Sequence, residues 1–85
     1  MEAMMTLAKE LRARLGGKWE GDEGECQGLV VVGDVKLRVV LERDGAAHVC
    51  EVFEGGAVVG SAREEGALRA VGAALKQWKA ERTQG

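Results

Sequence analysis

The chain has 85 residues, 46 % apolar and 31 % charged, with a formal charge of −2, which is the profile of one small globular domain, residues 1–85. Such a length buries roughly 60–70 % of the extended-chain surface, so the core is thin and little is left over for elaborate catalytic machinery. The charge gives no general pull toward nucleic acid or an anionic membrane, and no apolar run nears the roughly 18 residues that span a bilayer.

The N-terminal stretch MEAMMTLAKELRARL is interrupted by Lys9, Glu10 and Arg12, so it has no continuous signal-peptide core. The expectation is a cytoplasmic, reduced protein. The spacing predicts a helix over residues 2–15: Met4, Leu7, Ala8, Leu11 and Leu15 recur at helical intervals. Glu10 and Arg14 sit four apart in the favourable order. Gly16-Gly17 stops the helix, because glycine accepts the left-handed cap conformation. KWEGDEGE, residues 18–25, is polar and broken by glycine, and reads as a loop.

From Cys26 the period changes to two. Four strands are predicted, over residues 26–32, 35–43, 46–54 and 57–60, joined at Gly33-Asp34, Asp44-Gly45 and Gly55-Gly56. Each dipeptide is of the kind two-residue hairpins require. With Asp44-Gly45 as the central turn residues, Arg38 faces Glu51, Lys36 faces Phe53, Leu37 faces Val52 and Val39 faces Cys50, so opposite charges meet and apolar residues meet. The register sorts the faces. Val30, Val32, Val35, Leu37, Val39, Leu41, Cys50, Val52, Ala57 and Val59 form the core side. Leu29, Val31, Lys36, Arg38, Val40, Glu42, Val49, Glu51, Phe53 and Val58 form a mixed opposite side. Ser61-Ala62-Arg63-Glu64 has the capping-box spacing and predicts a helix over residues 62–82. Its buried stripe is Leu68, Val71, Gly72, Leu75 and Trp78, with Gly72 marking a close approach, and Lys76, Lys79 and Arg82 suit its C-terminal dipole. The fold class is therefore α+β: a four-stranded antiparallel meander flanked by two helices, α-β-β-β-β-α.

His48 and Cys50 lie two apart on one strand and so share a face. A cysteine–histidine pair suggests a nucleophile and its base, but an apolar wall raises a thiol's pKa and no orienting third group is evident. Cys26 and Cys50 make no CxxC pair, and the register separates them by two strands, too far for a disulfide. Zinc needs ligands that converge tetrahedrally, and these do not. The turns VVVGDV and FEGGAVVGS match neither phosphate-loop pattern. No enzyme activity, metal or cofactor is expected.

Two features remain. Glu20, Asp22, Glu23 and Glu25 put four carboxylates within six residues, an edge suited to a basic protein surface. The mixed sheet face carries an apolar patch of the kind that marks an interface when no helix covers it, with Phe53, Val40, Val49 and Arg38 as its contact residues. The functional expectation is a small non-enzymatic protein–protein interaction module, of the regulator, adaptor, antitoxin or phage-type inhibitor kind. It would dock through the sheet face and acidic edge (Glu20, Asp22, Glu23) onto a larger protein, with a homodimer as the simplest association. The alternative is nucleic-acid binding through Lys36, Arg38, Arg43 and Lys18.

The order helix–strands–helix, ending in EVFEGGAVVGSAREEGALRAVGAALKQW, resembles in architecture the double-stranded-RNA-binding domains, which run α-β-β-β-α. That resemblance implies a phosphate-gripping basic start to the second helix. Here the position reads Arg63-Glu64-Glu65, mostly acidic, and the predicted strands number four rather than three. Compact single-stranded-DNA-binding folds of the β-β-β-β-α kind share the layout too, but stack bases on aromatic side chains, of which this sheet offers only Phe53.

Overall fold

The computed structural model describes residues 3–21 and 24–84. The order is α1 (Ala3–Leu15), β1 (Lys18–Gly21), β2 (Glu25–Val32), β3 (Val35–Asp44), β4 (Ala47–Glu54), β5 (Ala57–Glu64) and α2 (Ala67–Gln84). The strands form one antiparallel sheet in the order β1-β2-β3-β4-β5. The fold is α+β with two helices, but with five strands where four are predicted.

The additional strand is KWEG, at the start of the stretch read as a loop. Lys18 to Gly21 pair with Leu29 to Cys26. Trp19 stands opposite Gly28, where any Cβ would collide with the indole ring. Glycine at 28 is thus what lets an aromatic side chain lie flat on the sheet. The Trp19 Nε1–H donates to the Gly16 carbonyl at 2.8 Å, tying the strand to the end of α1. Four residues are too few for a legible period of two, which is why this strand escapes the pattern.

Gly16 and Gly17 both have positive φ and end α1 as expected, and Glu10 and Arg14 pair at 3.5 Å. The β2–β3 turn is Gly33-Asp34 and the β4–β5 turn Gly55-Gly56, as expected. The β3–β4 turn is Gly45-Ala46 rather than Asp44-Gly45, because Asp44 pairs with Ala47. Only Gly45 of this turn has positive φ, and a turn with one such residue takes glycine in its first central position. Arg38 therefore faces Phe53, Val39 faces Val52 and Leu41 faces Cys50. The register differs from the expected one by two residues, a whole side-chain period, so every residue of this hairpin keeps its predicted face.

The capping box does not form. Ser61 to Glu64 continue β5, pairing with Glu51 to His48, and α2 begins after Gly66, whose carbonyl accepts the Ala70 N–H at 3.0 Å. The helix is therefore 67–84, not 62–82. The close approach expected at Gly72 falls on Gly60 instead. Gly72 is open to solvent, while a Cβ on Gly60 would strike the Ala74 carbonyl of α2.

Both helices lie on the same side of the sheet. One core cluster joins Ala8 and Leu11 of α1 with Ala70, Val71, Ala74 and Trp78 of α2. Between them lie Cys26, Val30, Leu37, Val39, Leu41, Cys50 and Val52 from the sheet. α1 rests on β1 and β2; α2 rests chiefly on β5 and β4. Val32, Ala57 and Val59, expected in the core, sit at its margin: Val32 is 38 % exposed, Ala57 is exposed and Val59 is half-buried. A bulge near the β4–β5 turn shifts the pairing from Val52–Gly60 to Phe53–Val58 and leaves Val59 as the extra residue.

The sheet's edges are managed differently. β5 is covered by α2, and Gln77 Oε1 accepts the Ser61 backbone N–H at 2.6 Å. β1 is short, which itself limits strand-to-strand aggregation.

Candidate functional site

With both helices on one side, no helix or strand among the described residues covers the opposite face of the sheet. Its composition follows from the register. Val31 pairs with Lys36 nearest the β2–β3 turn. The next outward row is Lys18–Leu29–Arg38–Phe53–Val58, then Glu20–Gln27–Val40–Glu51–Ser61, then Glu25–Glu42–Val49–Arg63. Leu29 is 57 % exposed, Val31 62 % and Val58 52 %. These three are the most exposed large aliphatic side chains among the described residues.

Phe53, Val40, Val49 and Arg38 all lie on this face. Val40 is nearly buried, flanked in its row by Gln27 and Glu51, and Phe53 and Val49 are half-buried. The Arg38 guanidinium stands 5.0 Å from the centre of the Phe53 ring, a cation–π contact that holds it toward β4. Two shallow hollows flank it, one beside Lys18 and Leu29, the other beside Lys36, Phe53 and the Gly55-Gly56 turn. Glu20 is on β1 rather than in a loop and joins the same face, while Asp22 and Glu23 lie outside the described residues.

Charge is unevenly spread over this surface. The end nearest the β2–β3 turn holds Lys18, Lys36 and Arg38 among the exposed apolar residues, with no carboxylate in those two rows. The far end holds Glu20, Glu25, Glu42 and Glu51. Glu25 and Glu42 stand directly opposite each other, an arrangement that costs stability. The one cation of the far rows, Arg63, is paired with Asp44. Lys18 joins the basic end only because β1 exists; with KWEG read as a loop its place on the face was hidden. Arg43, grouped with Lys36 and Arg38 in the nucleic-acid reading, pairs with His48 and belongs to the helical side.

The residues considered for catalysis sit under the helices. Cys26 and Cys50 flank Leu41 in one row, all three fully buried, and neither cysteine is in a disulfide. Burial, with smaller contributions from Glu51 and Cys26, pushes the Cys50 thiol up to about 12, so it holds its proton at neutral pH. His48 Nδ1 lies 2.8 Å from the Glu65 carbonyl. A carbonyl only accepts, so Nδ1 carries the proton, and the ring fastens the segment between β5 and α2. At the other end of β4, Glu54 accepts from Trp78 Nε1 at 3.1 Å and pairs with Arg82, which also stacks on Trp78. These contacts dock α2 on the sheet.

Among the described residues no group of three His, Cys, Asp or Glu side chains is placed to hold a metal ion, and no helix is long and apolar enough to cross a membrane. Comparison with protein-family models, curated proteins and solved structures finds no match to this chain.

Proposed function

We propose that the chain is a non-enzymatic protein–protein interaction module, of the regulator or adaptor kind, whose open sheet face is its docking surface. The observation that carries this reading is the placement of both helices on one side. It leaves Leu29, Val31 and Val58 more than half exposed beside the Arg38–Phe53 stack. Burying such aliphatic side chains against a partner is worth about 25 cal/mol per Å² of apolar surface. An aromatic ring and an arginine among them match the residues that dominate binding energy at protein interfaces.

The test compares the tagged chain with a Phe53→Asp variant in pull-downs from the native lysate, with and without nuclease. The expected outcome is a stoichiometric protein that survives nuclease and is lost with Phe53→Asp. Capture unchanged by that substitution removes the sheet face from the mechanism.

One observation favours a second reading, nucleic-acid binding: Lys18, Lys36 and Arg38 converge at one end of the face. Three cations give a shallow salt dependence, with a slope of about −2 to −3 in log–log form. Capture abolished by nuclease selects this reading.

A further inference from the structure

We infer that the partner seated on the open face is a second copy of this chain, packed face to face with its strands antiparallel to those of the first. The inference rests on the docking role of that face and names its occupant. The argument is the charge pattern. The basic, apolar end and the acidic end lie on either side of the row Trp19–Gly28–Val39–Val52–Gly60, whose side chains point to the helices. A twofold axis along that row, perpendicular to the strands, turns each end onto the opposite end of the other copy.

Each strand then lies over its own counterpart. Lys18 meets Glu20 of the second copy, and Lys36 meets Glu42, since each pair is equidistant from the axis. Arg38 leans over Phe53 on β4, and the position facing Phe53 is Glu51 of the second copy. Each contact occurs twice, as an isologous interface requires. The like-charge opposition of Glu25 and Glu42, unfavourable in a single copy, gains a lysine above it. Sheets packed face to face stand about 10 Å apart, a gap that a lysine and a glutamate span together. They keep their strands within about 30° of alignment.

The other in-plane twofold, parallel to the strands, places Lys36 on Lys36, Arg38 on Arg38 and Glu42 on Glu42, so it is disfavoured. The face measures roughly 20 by 25 Å from strand spacing and rise. That is small beside the roughly 800 Å² per partner of a standard interface, so the dimer is expected to be weak and sensitive to salt.

The experiment is sedimentation equilibrium on the full chain at low and high salt, together with Lys36→Glu, Glu42→Lys and an equimolar mixture of the two variants. Within one chain the two positions are about 20 Å apart along β3, so neither substitution repairs the other in a monomer. The wild type is expected to dimerise at low salt and dissociate as salt rises. Each variant alone should dimerise at least about tenfold more weakly, as like-charge juxtaposition predicts, and the mixture should recover the heterodimer. Recovery also shows that both variants are folded. A wild type that stays monomeric at every concentration overturns self-docking, while the Phe53→Asp pull-down still reports separately on the docking role of the face. A wild-type dimer with no recovery in the mixture overturns the antiparallel arrangement.

Discussion

Leu41 and Leu29 are leucines on neighbouring strands of one sheet, and they live in opposite conditions. Leu41 lies between Cys26 and Cys50 beneath the helices and is wholly enclosed, whereas Leu29 points the other way and is 57 % exposed. The side with helices is closed and nearly uniform in chemistry, with no buried polar or charged residue among those described. The open side is mixed, and its charges are sorted by position. A single sheet thus separates two tasks. One face holds the chain together, and the other is free to carry a pattern that folding does not dictate.

The comparison is broken most forcefully at Leu41. Leu41→Ala leaves a cavity with packed neighbours on both sides, and the expected loss is about 2–5 kcal/mol, read as a lower urea midpoint at unchanged slope. On a chain of this size that is a large share of the total stability. A loss no larger than that of an exposed substitution would mean that the helices do not seal this face.

The next effect appears at alkaline pH. The Cys50 thiol, raised from 9.0 to about 12 in the fold, keeps its proton where the unfolded chain has lost it. Above pH 9 the unfolded state binds fewer protons, so stability falls as pH rises, by up to about 1.4 kcal/mol per unit until pH 12. Below pH 9 this contribution is constant. Urea unfolding at pH 8, 10 and 11 should show the decline in the wild type and a shallower one in Cys50→Ala, the difference reaching about 2–3 kcal/mol at pH 11. Parallel declines would place the thiol in contact with water.

Those two faces were legible in the sequence through the period of two alone. The β3–β4 register inferred from Asp44-Gly45 is off by two residues, yet Leu41 and Cys50 stay inside and Val40 and Phe53 stay outside, because a slip of two preserves the side. What a slip of two alters is the partner: Arg38 stacks on Phe53 instead of facing Glu51. Patterns too short for a period carried less. KWEG contributes one inward side chain, Trp19, and its strand depends on Gly28, nine residues after that tryptophan. Ser61 to Glu64 carry a local helix-start signal, but pairing with β4 outweighs it. Gly72 and Gly60 are indistinguishable by composition, and only the path of α2 selects Gly60. The polarity of the open face is of the same kind, since Lys18 enters it only through the β1 pairing.

The smallest expected effect sharpens the comparison further. Leu29→Ser removes apolar surface that is already mostly in water, so at concentrations too low for the proposed association unfolding should shift by no more than about 0.5 kcal/mol. If the proposed dimer forms, the wild type at high concentration gains stability from association, by RT ln(1 + [L]/Kd), about 1.4 kcal/mol for each tenfold rise in concentration above Kd. The wild-type midpoint should therefore climb with protein concentration, and the Leu29→Ser midpoint should climb much less. The same leucine would then be neutral to the fold and costly to the assembly. A variant already destabilised at dilute concentration would instead make Leu29 part of the folding core, and the division between the two faces would fail at that residue.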